Sequence, residues 1–368
     1  MAAFAEGTPC WLDVSLPDLE AGKRFYGDLF GWTFGRGPGP GPAPERGTAA
    51  YVAAFSDGSR VAGLVAKRDG RMPTAWGVYF ATPDVVDAAR RVVAAGGRMV
   101  REPVRMDRVG VVALAADPGG AVFGLWQSEG QAPGQALRDV SGDEGAGGAE
   151  GDGGAEGSGS AVGAGAAGNT GAAGSAGEDV GFERQGEPGS FCWTEVYTRA
   201  PEAVDAFYER VLHVSGSDAT GTTVEAVPFR LWSPKGATPG PGTAIGGRSV
   251  MTDVFPAELP GHFLNYFAVT DCDATAAAVV RLGGRVRQAP FDITYGRMAV
   301  LTDNQGADFA VLAERALSAE AAGEARGPEA PETAEGPEGA ARPQEAAETE
   351  AGEEGAAAPK RRWGRRRS

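Results

Sequence analysis

PCWLDVSLPDLEAGKRFYGDLFGW, residues 9–32, is written twice in this chain: about 180 residues later it reads FCWTEVYTRAPEAVDAFYERVL, residues 191–212. The first copy changes period partway. Leu12, Val14 and Leu16 alternate with Trp11, Asp13 and Ser15, which is the period of a strand. Asp18 after Pro17 suits a helix N-cap, Leu19, Gly22, Tyr26, Leu29 and Phe30 then share one helical face, and Gly31 stops the helix.

The repeat extends well beyond this stretch. At an offset of 182, Cys10-Trp11 meets Cys192-Trp193, Asp13 meets Glu195, and Phe25-Tyr26 meets Phe207-Tyr208. Further on, WGVYFATPDVVDAARRVVAAGGR (76–98) meets FLNYFAVTDCDATAAAVVRLGGR (263–285). This second phrase repeats the strand–cap–helix plan, with Asp84 as cap, Val85, Ala89, Val92 and Val93 as the apolar stripe, and Gly96-Gly97 as the stop. Short strand-like runs separated by Gly, Pro and Asp turns follow each helix. The unit is β-α-β-β-β, present four times, in a duplicated domain of about 120 residues.

Composition divides the chain accordingly. Residues 7–127 and 189–314 are expected to be the two α+β domains. Residues 128–188, rich in Gly and Ala, bury too little apolar surface to offset ordering entropy and are expected to form a disordered linker. Residues 315–368 are expected to be a disordered acidic tail ending in a basic cluster, KRRWGRRRS. That cluster is either solvated beside its own acidic stretch or an anchor for nucleic acid or an acidic partner. The formal charge of −15 argues against a nucleic-acid binder, although much of it sits in the tail. Cys10, Cys192 and Cys272 lack CxxC spacing, so neither a disulfide framework nor a thiolate zinc site is expected. No apolar leader and no run of eighteen or so apolar residues is present, so no membrane contact is expected and the protein reads as cytoplasmic.

DVSLPDLEAGKRFYGDLFGW, GVYFATPDVVDAARRVVAAGGR and YGRMAVLTDNQGADFAVL together resemble the vicinal oxygen chelate superfamily, which includes glyoxalase I, extradiol dioxygenases and bleomycin-resistance proteins. The opening phrase resembles a tandem-domain, actinobacterial-type glyoxalase-like branch. The resemblance implies that two βαβββ units in each domain close an open, cup-shaped mixed sheet with helices on the outside. It also implies a divalent ion held by His, Glu or Gln on the first and last strands of each unit, acting as a Lewis acid. Carried onto this chain, those positions are Trp11, Gly77, Trp193 and Leu264 on the first strands, and Gly124 and Ala310 on last strands. Indole, hydrogen and alkyl groups do not coordinate zinc, nickel or iron. With only His213 and His262 in the whole chain, no metal site and no cofactor are expected.

Alternation then indicates what the cups present: Trp11, Asp13, Tyr79 and Trp126 in the first, and Trp193, Glu195, Tyr197 and Tyr266 in the second. An aromatic-lined cup with one carboxylate suits a small organic ligand, and a cationic one by charge pairing and cation–π attraction. Trp11 and Trp193 serve either as duplicated packing or as walls of a ligand box. Asp13 and Glu195 are either ligand-binding or catalytic bases, structural partners of Arg or Tyr, or solvent-exposed. Arg297 lies beside the second cup, where it could meet an anion or stay solvated. The leading expectation is a metal-independent protein binding a small organic molecule for sequestration or detoxification. The alternatives are a metal-free isomerase- or oxidoreductase-like enzyme with a cup carboxylate as base, and an interaction scaffold acting through linker and tail. The two domains are expected to dock on each other, as a monomer or a domain-exchanged dimer.

Overall fold

In the computed structural model the stretch 9–32 folds as strand, cap, helix and stop. Strand β1 (Pro9–Leu16) leads to Asp18, whose extended backbone lets its carboxylate accept the Ala21 N–H at 2.9 Å and open α1 (Leu19–Phe30). Gly31 closes the helix at φ 72°, a left-handed conformation that glycine adopts without steric cost. Gly22 faces β1: a Cβ there would lie 2.2 Å from Leu16 Cδ1, so its bare backbone sets how closely helix and strand approach. The structure describes residues 4–35, 51–67, 70, 73–106, 109–128, 181–219 and 228–314. The acidic tail and most of the Gly/Ala-rich segment fall outside the described residues.

The unit is completed by β2 (Thr33–Gly35), β3 (Tyr51–Ser56) and β4 (Ser59–Ala66). A second unit follows as β5 (Trp76–Ala81), α2 (Val85–Ala94), β6 (Arg98–Met106), β7 (Gly110–Ala116) and β8 (Val122–Ser128). The third is β9 (Phe191–Thr198), α3 (Pro201–Val211), β10 (Ser215–Asp218), β11 (Phe229–Ser233) and β12 (Gly246–Val250). The fourth is β13 (His262–Ala268), α4 (Cys272–Arg281), β14 (Arg285–Ile293), β15 (Gly296–Thr302) and β16 (Asp308–Glu314). Asp84 and Asp271 cap α2 and α4 as Asp18 caps α1. α3 has no side-chain cap and begins instead with Pro201, whose missing N–H costs nothing there. One residue of the expected stripe is misplaced: Val93 is 59% exposed, and α2 buries Ala88 beside Val85, Ala89 and Val92.

The units pair into two mixed eight-stranded sheets, ordered β2-β3-β4-β1-β5-β8-β7-β6 and β10-β11-β12-β9-β13-β16-β15-β14. The first strands of the two units lie antiparallel at each centre, with Leu12 opposite Val78 and Glu195 opposite Leu264. The fourth strand of a unit returns parallel to its first, placing Asp13 opposite Gly63 and Glu195 opposite Gly247. Each sheet is therefore nearly symmetric about its own middle, as βαβββ pairing requires.

The helix-bearing faces of the two sheets meet. Phe80 on β5 contacts Phe263 on β13 with ring centroids 5.8 Å apart, and Trp76 contacts Phe267 at 5.0 Å. Phe30, Trp32, Phe123, Phe207 and Phe309 join the same aromatic core. Burying each such ring contributes on the order of 2–3 kcal/mol. Two related polar contacts cross this core. The Tyr26 hydroxyl donates to Asp303 Oδ2 at 2.9 Å, and Tyr208 donates to Asp117 Oδ2 at 3.1 Å. Both aspartates spend their other oxygen on backbone N–H groups of their own turns, Asp303 on Gln305 and Ala307, and Asp117 on Ala121. A turn aspartate in one sheet is thus tied to a helix tyrosine of the other.

The described residues ahead of β9 include 181–188, which belong to the segment read as linker. Phe182 stacks on Phe191 with centroids 5.0 Å apart and packs on Trp11 at 5.7 Å, while Glu183 pairs with Arg60 at 2.7 Å. This short run holds one aromatic, Phe182, and three charged residues, Glu183, Arg184 and Glu187, that the composition of its neighbours conceals. No helix among the described residues is long and apolar enough to cross a membrane.

Candidate functional site

With one face of each sheet turned to the helices, strand alternation assigns the other. Leu16 meets α1 at Gly22, so Leu12, Val14 and Leu16 belong to the helix side, and Trp11, Asp13 and Ser15 to the helix-free face. On β9, Thr194, Val196 and Thr198 are buried, whereas Trp193, Glu195 and Tyr197 are half-buried on the helix-free face. The predicted residues therefore gather in two clusters, one on each sheet, and the clusters differ.

On the first sheet every one of them is buried: Trp11 is 0% exposed, Asp13 7%, Tyr79 6% and Trp126 2%. Trp11 packs edge-on against Trp126 at 6.4 Å and is covered from the other side by Phe182. The Trp126 indole N–H donates to Val109 O at 2.9 Å. Tyr79 lies across Gly124, where a Cβ would come within 2.0 Å of its ring, and Tyr51 lies across Gly63, at 2.3 Å from its hydroxyl. Aromatic rings thus occupy the space that side chains at these two glycines would fill. Asp13 accepts the Tyr79 hydroxyl at 3.0 Å. Burial pushes its pKa up to about 7, with the Tyr79 hydrogen bond opposing the rise. Trp11 Nε1 and the Tyr51 hydroxyl are neighbours but remain outside hydrogen-bond geometry.

The second sheet repeats this plan with one methylene more in the carboxylate. Glu195 reaches the indole that Asp13 does not: Trp193 Nε1 donates to Glu195 Oε1 at 3.1 Å. Ser249 Oγ donates to Oε2 at 3.3 Å. The hydroxyls of Tyr197 and Tyr266 lie beside it and act to lower its pKa. Burial raises the Glu195 pKa, and these four groups offset part of the rise. Leu264, Met298, Ala310 and Leu312 form the apolar bed beside Tyr266, with Trp193, Tyr197 and Phe291 against it. His262 stacks on Tyr197 with centroids 5.4 Å apart and an interplanar angle of 8°, its Nδ1 lying 3.1 Å from Pro260 O.

Both carboxylates accordingly take tyrosine partners, Asp13 with Tyr79 and Glu195 with Tyr197 and Tyr266. Arg297 is turned away from the second face, bound to Asp273 at the start of α4. Cys10 and Cys192 donate to the backbone oxygens of Tyr79 and Tyr266, and burial raises both thiol pKa values well above the ordinary range, which disfavours a nucleophilic thiolate. Tyr51, Phe182 and Ser249 escaped the sequence reading, and His262 entered it only as a possible metal ligand. Their places depend on strand register, which pairs Tyr51 with Val65, Ser249 with Tyr197, and His262 with Tyr197. Only the parallel pairing of β12 with β9 brings Ser249 beside the carboxylate.

The donor positions of a chelated ion do not fit one here. Trp11, Gly77 and Gly124 on the first sheet, and Trp193, Leu264 and Ala310 on the second, offer no lone pair to a divalent cation. Among the described residues no three His, Cys, Asp or Glu side chains converge as a metal-binding group.

Residues 11–125 match the family model described as Glyoxalase/Bleomycin resistance protein/Dioxygenase superfamily. Over 326 residues the chain is 32% identical to the anthracycline biosynthesis protein DnrV of Streptomyces peucetius, covering 85% of this chain and 95% of the relative. It is 30% identical over 316 residues to the protein CFP32 of Mycobacterium tuberculosis (strain CDC 1551 / Oshkosh), covering 84% of this chain and 95% of that one. Among solved structures, the Mn(II)-bound glyoxalase from Novosphingobium aromaticivorans aligns with 83% of this chain and 82% of its own, at 14% identity and a TM-score of 0.45.

Proposed function

Because the chain belongs to the Glyoxalase/Bleomycin resistance protein/Dioxygenase superfamily, we propose that it is a metal-independent member that binds a small organic molecule on the helix-free face of its second sheet, for sequestration or detoxification. The observation that carries this reading is the contrast between equivalent residues. Trp193, Glu195 and Tyr197 are half-buried beside an apolar bed, whereas Trp11 and Asp13 are covered on the first sheet. The half-buried Trp193 indole beside one fixed polar group supplies stacking area together with orientation. The first sheet, in this reading, supports the second through the shared aromatic core. A relative named for anthracycline biosynthesis agrees with an organic molecule as the occupant.

The test is native mass spectrometry of the gently purified full chain, with one sample incubated with Mn²⁺, Ni²⁺ and Zn²⁺ and then desalted. We expect a single-chain mass, bare or carrying an organic adduct, and less than one ion per chain. Trp193→Ala should lose any adduct. A stoichiometric ion removable by chelator would overturn metal independence, and an adduct untouched by Trp193→Ala but lost in Trp11→Phe would move the site to the first sheet. A two-chain mass would indicate exchange of the paired sheets between chains.

A further inference from the structure

The charge around Glu195 narrows what this face can hold, provided that it is the binding face. We infer that its occupant is an organic cation: an ammonium or protonated amine carried on a flat, apolar body.

The groups around Glu195 are neutral: the Trp193 indole and the Ser249 hydroxyl hydrogen-bond to it, and the hydroxyls of Tyr197 and Tyr266 lie beside it. Neutral donors fix where a carboxylate sits and cancel none of its charge. Among the described residues no Lys, Arg or His forms an ion pair with it. The arginines of the surrounding strands are committed elsewhere. Arg248 sits opposite Val196 on the helix side and binds Asp205 at 2.7 and 3.0 Å. Arg297 holds Asp273, and Arg199 donates to the backbone oxygens of Phe255, Pro256 and Leu259.

Among the described residues Asp13, the counterpart of Glu195, shares this lack of a cationic partner but is covered and held by Tyr79, whereas other carboxylates are matched. Asp205 has Arg248, Glu183 has Arg60, and Asp117 and Asp303 sit on backbone N–H groups in turns. Glu195 instead carries its charge into a half-open aromatic setting. A cation placed there gains Coulomb attraction at reduced dielectric together with the negative faces of Trp193 and Tyr197. An anion meets like charge on the same ground. His262, stacked on Tyr197, keeps its Nδ1 at Pro260 O and extends the aromatic surface.

Three probes that share one aromatic body separate charge from surface: 2-naphthylmethylammonium, 2-naphthylmethanol and 2-naphthoate. Isothermal titration of the full wild-type chain should find the ammonium bound at least about tenfold more tightly than the alcohol, with naphthoate weakest. Glu195→Gln should bring ammonium and alcohol level, and Trp193→Leu should weaken both. The wild-type ranking stands whether or not either variant folds. Alcohol bound as tightly as ammonium, or an ammonium preference that survives Glu195→Gln, overturns the charge assignment and leaves the binding face intact. Failure of all three probes up to millimolar concentration overturns the assignment and the face together.

Discussion

Replacing Asp13 by Asn should stabilise the protein increasingly as pH rises. Asp13 is 7% exposed, and its carboxylate accepts the Tyr79 hydroxyl at 3.0 Å. Burial lifts its pKa from 3.8 to about 7, so the folded state holds this proton more tightly than the unfolded chain does. Between those two values the folded state carries the extra proton, and stability therefore falls as pH rises through the window. Each pKa unit corresponds to about 1.4 kcal/mol, which makes the whole effect about 4 kcal/mol and the part lying between pH 5 and 8 about 2–3 kcal/mol. Asparagine has the same shape and no charge, so its stability lacks this slope. Urea unfolding of both proteins at pH 5, 6, 7 and 8, followed by tryptophan fluorescence, reads the difference directly. Asp13→Asn should gain about 2–3 kcal/mol on wild type between the two ends of that range. A gap that stays constant with pH, or one that closes at pH 8, refutes the reasoning.

The aromatic core between the sheets predicts that Tyr26→Phe costs about 2–4 kcal/mol, because Asp303 Oδ2 loses a donor and the Trp76 indole N–H loses an acceptor 3.0 Å away. Tyr208→Phe strands only Asp117 Oδ2 and should cost about 1–3 kcal/mol; thermal melts that rank the two the other way would contradict this. Gly124→Ala should destabilise by about 1–3 kcal/mol, since the new methyl lies 2.0 Å from the Tyr79 ring, and its crystal structure should show that ring displaced. Trp11→Ala should cost about 3–5 kcal/mol, whereas Trp193→Ala, removing a half-buried ring, should cost less than half as much in the same urea series.

The architecture was legible because its signals are local and repeated. Asp18, Asp84 and Asp271 each precede an apolar 3.6-residue stripe, and each caps a helix. Duplication then made every unit a check on the others. The exceptions have local causes too. Val93 fits the stripe by spacing, yet α2 turns its small Ala88 to the core and leaves the valine in water. Phe182 is one ring in a glycine-rich run, and composition averages it away.

The candidate site was legible only in part. Period-two alternation places Asp13 and Glu195 on the helix-free faces, because a strand's side chains must alternate wherever its partners lie. By itself the sequence thus determined the fourfold unit, its caps, and the residues offered to each face. Which face stays open was decided by tertiary structure. Phe182 reaches Trp11 across 171 positions of chain, Tyr51 crosses Gly63 through strand register, and Ser249 meets Glu195 only once β12 lies parallel to β9. Those contacts join residues distant in sequence, and no local period encodes a meeting that depends on how separate strands align.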